Sequence, residues 1–167
     1  MDTLLLRWVA VWTMSRHEKL VHDHLKEKEV EVFLPLVEVP STRKDRKQMI
    51  QVPVFPGYLF AHIEPNNGYA VKTTRGVVAV VGPSPSQYSF VPDAEIDAVR
   101  TMVESRLTID PYPYLTVGSP IRVKSGPLQG LEGILVQKRG KFRVVVSVNL
   151  LGKSISAEVS AEQIEKL

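Results

Sequence analysis

Short apolar runs, most of them alternating with polar positions, mark out a succession of strands with few helices between them. "RWVAVWTM" near the start is rich in β-branched and aromatic residues and reads as a strand. Ser15 with Glu18 three residues on has the form of a capping box, and Leu20, Val21 and Leu25 share one stripe of a helix running to about Lys28. "EVEVFLPL" resumes as a strand, and "VEVPSTRKDRKQMIQVPV" reads as a hairpin arm whose basic tip, residues 43 to 47, is too polar to be buried. Further strands follow in "VPVFPGYLFAHI" (52 to 63) and "GVVAVVG" (76 to 82). "PDAEIDAVRTMVES" (92 to 105) is a second helix, with Ile96, Val99, Met102 and Val103 facing a core. These elements predict an α+β layer, an antiparallel sheet covered by helices.

The strand at residues 58 to 63 has an unusual property. Alternation sends Tyr58, Phe60 and His62 to one face and Leu59, Ala61 and Ile63 to the other, so both faces begin apolar. Leu59, Ala61 and Ile63 are assigned to the core under the helices. Tyr58 and Phe60 then lie on a face that either packs beneath a loop or a second domain, or docks another protein.

Beyond residue 105 the pattern changes. "LTIDPYPYLTVGSP" holds three prolines and two tyrosines, is barred from helix and lacks strand periodicity, so 106 to 117 reads as a linker. Residues 118 to 167 show short strands near 120 to 124, 131 to 137, 142 to 148 and 154 to 159 between glycine-containing turns, the pattern of a small all-β, SH3-like barrel. The expected organisation is therefore a first domain over 1 to 105, the linker, and the barrel.

Composition adds exclusions. The 167 residues are 44% apolar and 23% charged, ordinary for a globular chain, and carry a net charge of +3. The basic excess sits beyond residue 105, where nine Lys/Arg face five Asp/Glu. With no cysteine there is no disulfide, thiolate metal site or cysteine nucleophile, and a cytoplasmic location is expected. The apolar run in "MDTLLLRWVAVW" is broken by Arg7 and two Trp well short of a membrane span. His17, His22 and His24 are close in sequence, but His22 and His24 point to different sides of a helix, so no metal site is assigned. No nucleophile elbow and no glycine-rich strand-to-helix turn is present, and no cofactor or catalytic residue is expected.

Residues 120 to 146 resemble a KOW motif, and "FPGYLF" followed by "TTRGVVAVVG" resembles the N-terminal (NGN) domain of the NusG family. Domain order, proline-rich linker and length agree with that family over nearly the whole chain. "RHEKLVHDHLKEKEVEVFLP", "RKDRK" and "DPYPYL" are more similar to its specialised RfaH and UpxY type paralogues than to the housekeeping factor.

The resemblance implies a non-catalytic transcription elongation and antitermination factor, monomeric, riding on bacterial RNA polymerase. It implies docking of the first domain on the clamp helices of the largest polymerase subunit, with Tyr58, Phe60 and Phe55 at the matching positions. It implies contact with non-template DNA through Arg16, Thr74 and Arg75, arginines being suited to phosphates and guanine edges. For the barrel it implies a spot at Leu150 and Leu151 that binds a small-subunit ribosomal protein or Rho. Where RfaH has a His-Thr-Thr-Thr run at its gate-loop contact, this chain reads "NNGYA", so that chemistry and the DNA specificity are not carried over. The four valines of "FRVVVSV" favour a constitutive barrel over a helical alternative. A second reading uses Lys138, Arg139, Lys141 and Arg143 to bind RNA as a ribosome-associated KOW protein.

Overall fold

The computed structural model describes residues 5 to 43 and 48 to 167, so residues 44 to 47 of the expected basic tip lie outside the described residues. The chain forms two compact units, Met1–Pro92 and Asp93–Leu167.

The first unit is built on β1 (Arg7–Thr13), helix α1 (Glu18–Glu27), β2 (Glu31–Phe33), β3 (Leu36–Pro40), β4 (Met49–Pro53), β5 (Tyr58–Ile63), the short helix α2 (Tyr69–Lys72) and β6 (Val77–Val80). β2, β5, β1 and β6 form an antiparallel sheet in that order, and β3 with β4 forms a separate ribbon. The β1–β5 register pairs Val9 with Ala61 and Val11 with Leu59, so these side chains share a face. They pack with Ile63, Val80, Val21 and Leu25 of α1 and Val71 of α2 in one buried cluster. The Leu59, Ala61, Ile63 face is thus the helix-covered core that alternation predicts.

Helix α1 departs from expectation at its start. Arg16 has φ of 63°, which breaks the helical path, and α1 begins at Glu18 with His17 as an N-cap that makes no side-chain cap hydrogen bond. The capping box is absent because the Glu18 carboxylate is used elsewhere: it is buried and accepts the Gly57 N–H at 3.2 Å, tying α1 to the turn before β5. The buried stripe is Glu18, Val21 and Leu25, and Leu20 is exposed.

The second unit begins earlier than the linker reading places it. Helix α3 (Asp93–Glu104) is counted within it, and its Ile96, Val99 and Met102 are buried as expected. It continues with β7 (Ile109–Tyr112), β8 (Ser119–Val123), β9 (Glu132–Lys138), β10 (Lys141–Val148), a 3-10 turn (Asn149–Leu151), β11 (Lys153–Val159) and β12 (Ile164–Lys166). One antiparallel sheet runs β12-β8-β9-β10-β11-β7. Val144, Val146 and Val148 of β10 share a buried face with Ala157 and Ile155 of β11, and Ile121, Val123, Leu128 and Leu131 are buried too. Gly133 of β9 is required by packing, because a Cβ there would stand 2.6 Å from the Val145 carbonyl oxygen and 2.7 Å from Val144 Cγ2.

The expected free linker at 106 to 117 is corrected. Ile109–Tyr112 is an edge strand paired with β11. Asp110 receives Arg143 at 2.7 Å, and beyond the strand Leu115 N–H donates to Ser154 Oγ at 3.0 Å while Ser147 Oγ donates to the Leu115 carbonyl at 2.9 Å. Pro111 is tolerated because an edge strand has one side free of ladder bonds. In hydrogen–deuterium exchange on the full chain, the amides of residues 109 to 112 that face β11 are expected to be slowed relative to an unstructured peptide, Pro111 having no amide hydrogen; exchange of all of them at the unstructured rate would contradict the edge strand.

Candidate functional site

The face of the first sheet opposite the helix-covered core carries Tyr58, Phe60 and His62, which the register sets opposite Trp12, Ala10 and Trp8 of β1. Phe60 is 0% exposed and Phe55 nearly so. Phe55 meets Phe60 edge-on at 6.2 Å and Phe33 lies over it at 6.1 Å. His62 stacks on Trp8 at 4.5 Å, and its Nδ1 lies 2.7 Å from Glu31 Oε2. Of the two alternatives left open for this face, packing holds for Phe60, and Phe55, placed by the resemblance at a docking position, is an interior ring as well. Tyr58 is half-buried.

What this face does leave open is centred on Trp12, 48% exposed at the end of β1. Trp12 pairs with Tyr58 on one side and Ala79 on the other, beside exposed Val78, with exposed Met14 two residues on. Sequence reasoning does not single out Trp12. The signal exists in "RWVAVWTM", but it needs the β1–β5 register, and no hairpin turn links those strands to reveal it.

At the end of the same sheet two cationic turns lie side by side. Met14 N–H donates to the Gly76 carbonyl at 2.8 Å, and His17 N–H donates to the Met14 carbonyl at 3.0 Å. Gly76 has φ of 95°, and a Cβ on it would lie 2.8 Å from Val21 Cγ2 and 3.4 Å from His17 Cβ, so only glycine lets the turns approach. Arg16 and Arg75 flank this contact, both exposed, and neither makes an ion pair among the described residues. Two guanidinium groups without acidic partners on adjoining turns suit a polyanion.

Thr74 stands differently. It is 4% exposed, and its hydroxyl donates to the Ala70 carbonyl at 2.7 Å while accepting from Lys28 Nζ at 2.9 Å. Thr74, which the resemblance puts at the nucleic-acid contact, thus has an enclosed and engaged side chain, unlike exposed Arg16 and Arg75.

In the second unit Leu150 and Leu151 occupy the 3-10 turn, both half-buried, with Gly152 closing it at φ of 61°. Asn149 holds the turn from two sides. Its N–H and Nδ2 donate to the Glu95 carboxylate at 2.9 and 3.2 Å, and its Oδ1 accepts from Tyr114 OH at 2.8 Å. The basic cluster of the second reading is partly neutralised: Arg143 is paired with Asp110 at 2.7 Å and Lys141 with Glu158 at 3.5 Å. Lys138 and Arg139 remain exposed with no ion pair among the described residues. His22 and His24 lie near Asp23 and Glu27, and no group of three His, Cys, Asp or Glu able to hold a metal gathers among the described residues. No helix among the described residues is long and apolar enough to cross a membrane.

Comparison with known proteins supplies the context. The family model described as "NusG: Transcription termination factor nusG" matches residues 6–100. The chain is 29% identical to the transcription termination/antitermination protein NusG of Pseudomonas aeruginosa, over 96% of this chain and 98% of that one. It is 30% identical to the protein of the same name from Staphylococcus carnosus, over 96% of each. A solved structure titled "Domain interaction in Thermotoga maritima NusG" superimposes with a TM-score of 0.55 at 21% identity, covering 97% of both chains, which establishes the fold of an α+β region followed by a separate all-β sheet.

The burial pattern carries a stability prediction. In urea denaturation Phe60→Ala is expected to lose about 3–5 kcal/mol, as a large ring removed from an interior does, whereas Trp12→Ala is expected to lose about 1 kcal/mol or less. Equal losses would contradict the separation of interior ring from surface ring.

Proposed function

The chain belongs to the NusG family, and on that footing we propose that it is a transcription elongation and antitermination factor that binds bacterial RNA polymerase through its first unit. The observation that carries this reading is the open end of the second sheet face. Trp12 and its cross-strand partner Tyr58 form an aromatic pair at that end, Trp12 exposed and Tyr58 half-buried, and aromatic side chains of this kind anchor protein interfaces. Phe55 and Phe60, buried and packed edge-on against each other, lie in the interior beside that open end. The partner surface is the clamp helices of the largest polymerase subunit.

The mechanism involves no bond making. A factor that binds the active, closed-clamp polymerase more tightly than the paused form shifts the population toward elongation by its differential affinity. Arg16 and Arg75 take the non-template DNA strand of the elongation complex through its phosphates or a guanine edge. The turn bearing Leu150 and Leu151 receives a small-subunit ribosomal protein or Rho, and the protein works in the cytoplasm. The reading of the second unit as an RNA-binding module is less well supported, because Arg143 and Lys141 already have acidic partners.

Purified core RNA polymerase offered to the full chain tests the docking. Retention is expected for the unaltered protein, and the Trp12→Ala/Tyr58→Ala double variant is expected to bind at least about thirtyfold more weakly, since one aromatic anchor contributes about 2 kcal/mol or more. The far-ultraviolet spectrum should be unchanged. Equal retention of a folded double variant would overturn the assignment of this face.

A further inference from the structure

The residue that connects helix α1 to the cationic turns is Lys28, at the helix end. Its backbone N–H is fixed by the carbonyls of His24 and Leu25 at 3.2 and 3.1 Å, which locks the base of the side chain. From there its ammonium donates to the Ala70 carbonyl at 2.9 Å, in α2, and to Thr74 Oγ1 at 2.9 Å. A cation at the carbonyl end of a helical turn is well placed, and the hydroxyl it meets is nearly dry.

Every polar group of Thr74 is engaged in this arrangement. Besides the two hydroxyl bonds, its N–H donates to the Val71 carbonyl and its carbonyl accepts from Val77 N–H, each at 3.1 Å. That last bond closes a four-residue turn, Thr74 to Val77, with Arg75 second and Gly76 third at φ of 95°, the pattern of a type II turn. Arg75 therefore projects from a turn whose first residue is held on all sides and whose third residue is seated against His17 and Val21.

We infer that Lys28, acting through Thr74, is a positioning residue that holds Arg75 in its nucleic-acid-binding geometry. The inference rests on the proposed contact of Arg75 with single-stranded DNA. Lys28 and Thr74 touch no ligand themselves. Their effect passes through the orientation of one guanidinium group, whose hydrogen bonds to phosphate are directional.

The test uses the full chain and a mixed-sequence single-stranded DNA oligonucleotide, with affinity followed by fluorescence anisotropy across a series of salt concentrations. Arg75→Ala is expected to weaken binding roughly tenfold and to flatten the plot of log affinity against log salt by about 0.7, the share of one phosphate contact. Thr74→Val, which changes no charge, is expected to reproduce most of both effects, and Thr74→Ser to restore them. Thr74→Val added to Arg75→Ala is expected to cost nothing further, since nothing remains to position.

If Arg75→Ala weakens binding while Thr74→Val binds as the unaltered protein does, the positioning role is overturned and the DNA contact stands. Losses that multiply in the double variant would overturn the positioning role in the same way. If Arg75→Ala binds normally, the contact itself fails and the inference fails with it. Should Thr74→Val not fold, Lys28→Met, which keeps the aliphatic stem and removes the ammonium, takes its place. Positioning then requires that it have no further effect beside Arg75→Ala, whereas a general charge effect would persist there.

Discussion

The pairing of β1 with β5 is the constraint on which the first unit depends, because the register of these two strands loads both faces of the sheet with apolar side chains at once. Val9, Val11, Leu59 and Ala61 go to the helix side, and Trp8, Ala10, Trp12, Tyr58 and Phe60 to the other. A slip of one residue would exchange the two sets wholesale. Glu18 reinforces the arrangement by taking the Gly57 N–H, so helix α1 and the entry to β5 are set together. The second face is then graded along its length, interior at Phe60 and open at Trp12. On this face the exposed ring, Trp12, is not one of the rings buried in the sheet, so the proposed docking there is compatible with a stable fold.

Much of this is legible in the alternation of residues, and the failures have identifiable causes. Alternation assigns a side chain to a face, and it places Leu59, Ala61 and Ile63 correctly. It does not say what distant chain covers a face, so it leaves open whether Phe60 is covered or docks a partner, and only the tertiary structure shows that it is interior. The Ser15 and Glu18 spacing suggests a capping box, but a left-handed Arg16 and a tertiary hydrogen bond take both partners away. Proline content suggests a free linker at 106 to 117, where the Asp110 to Arg143 ion pair and an open sheet edge make a strand. Resemblance puts Thr74 at the nucleic-acid contact; its burial and its bond to Lys28 depend on α1 and α2 meeting, which no local pattern encodes.

Sequence, fold and kinship agree on the larger outline. The family match runs through the first unit and into helix α3, and the relatives from Pseudomonas aeruginosa and Staphylococcus carnosus extend over 96% of the chain, so both units are part of the shared design. Within it, the proposed contacts fall on three surfaces: an aromatic sheet end, a pair of arginine turns, and a leucine turn pinned by Asn149.

Site-directed photocrosslinking to purified core RNA polymerase tests the central claim most directly. A photoreactive phenylalanine analogue in place of Trp12, at the open end of the sheet face, is predicted to crosslink to the largest polymerase subunit, while the same analogue in place of Arg139, at the β9–β10 turn, gives no such product. A crosslink from Arg139 without one from Trp12 would contradict the account and assign the docking to the second unit.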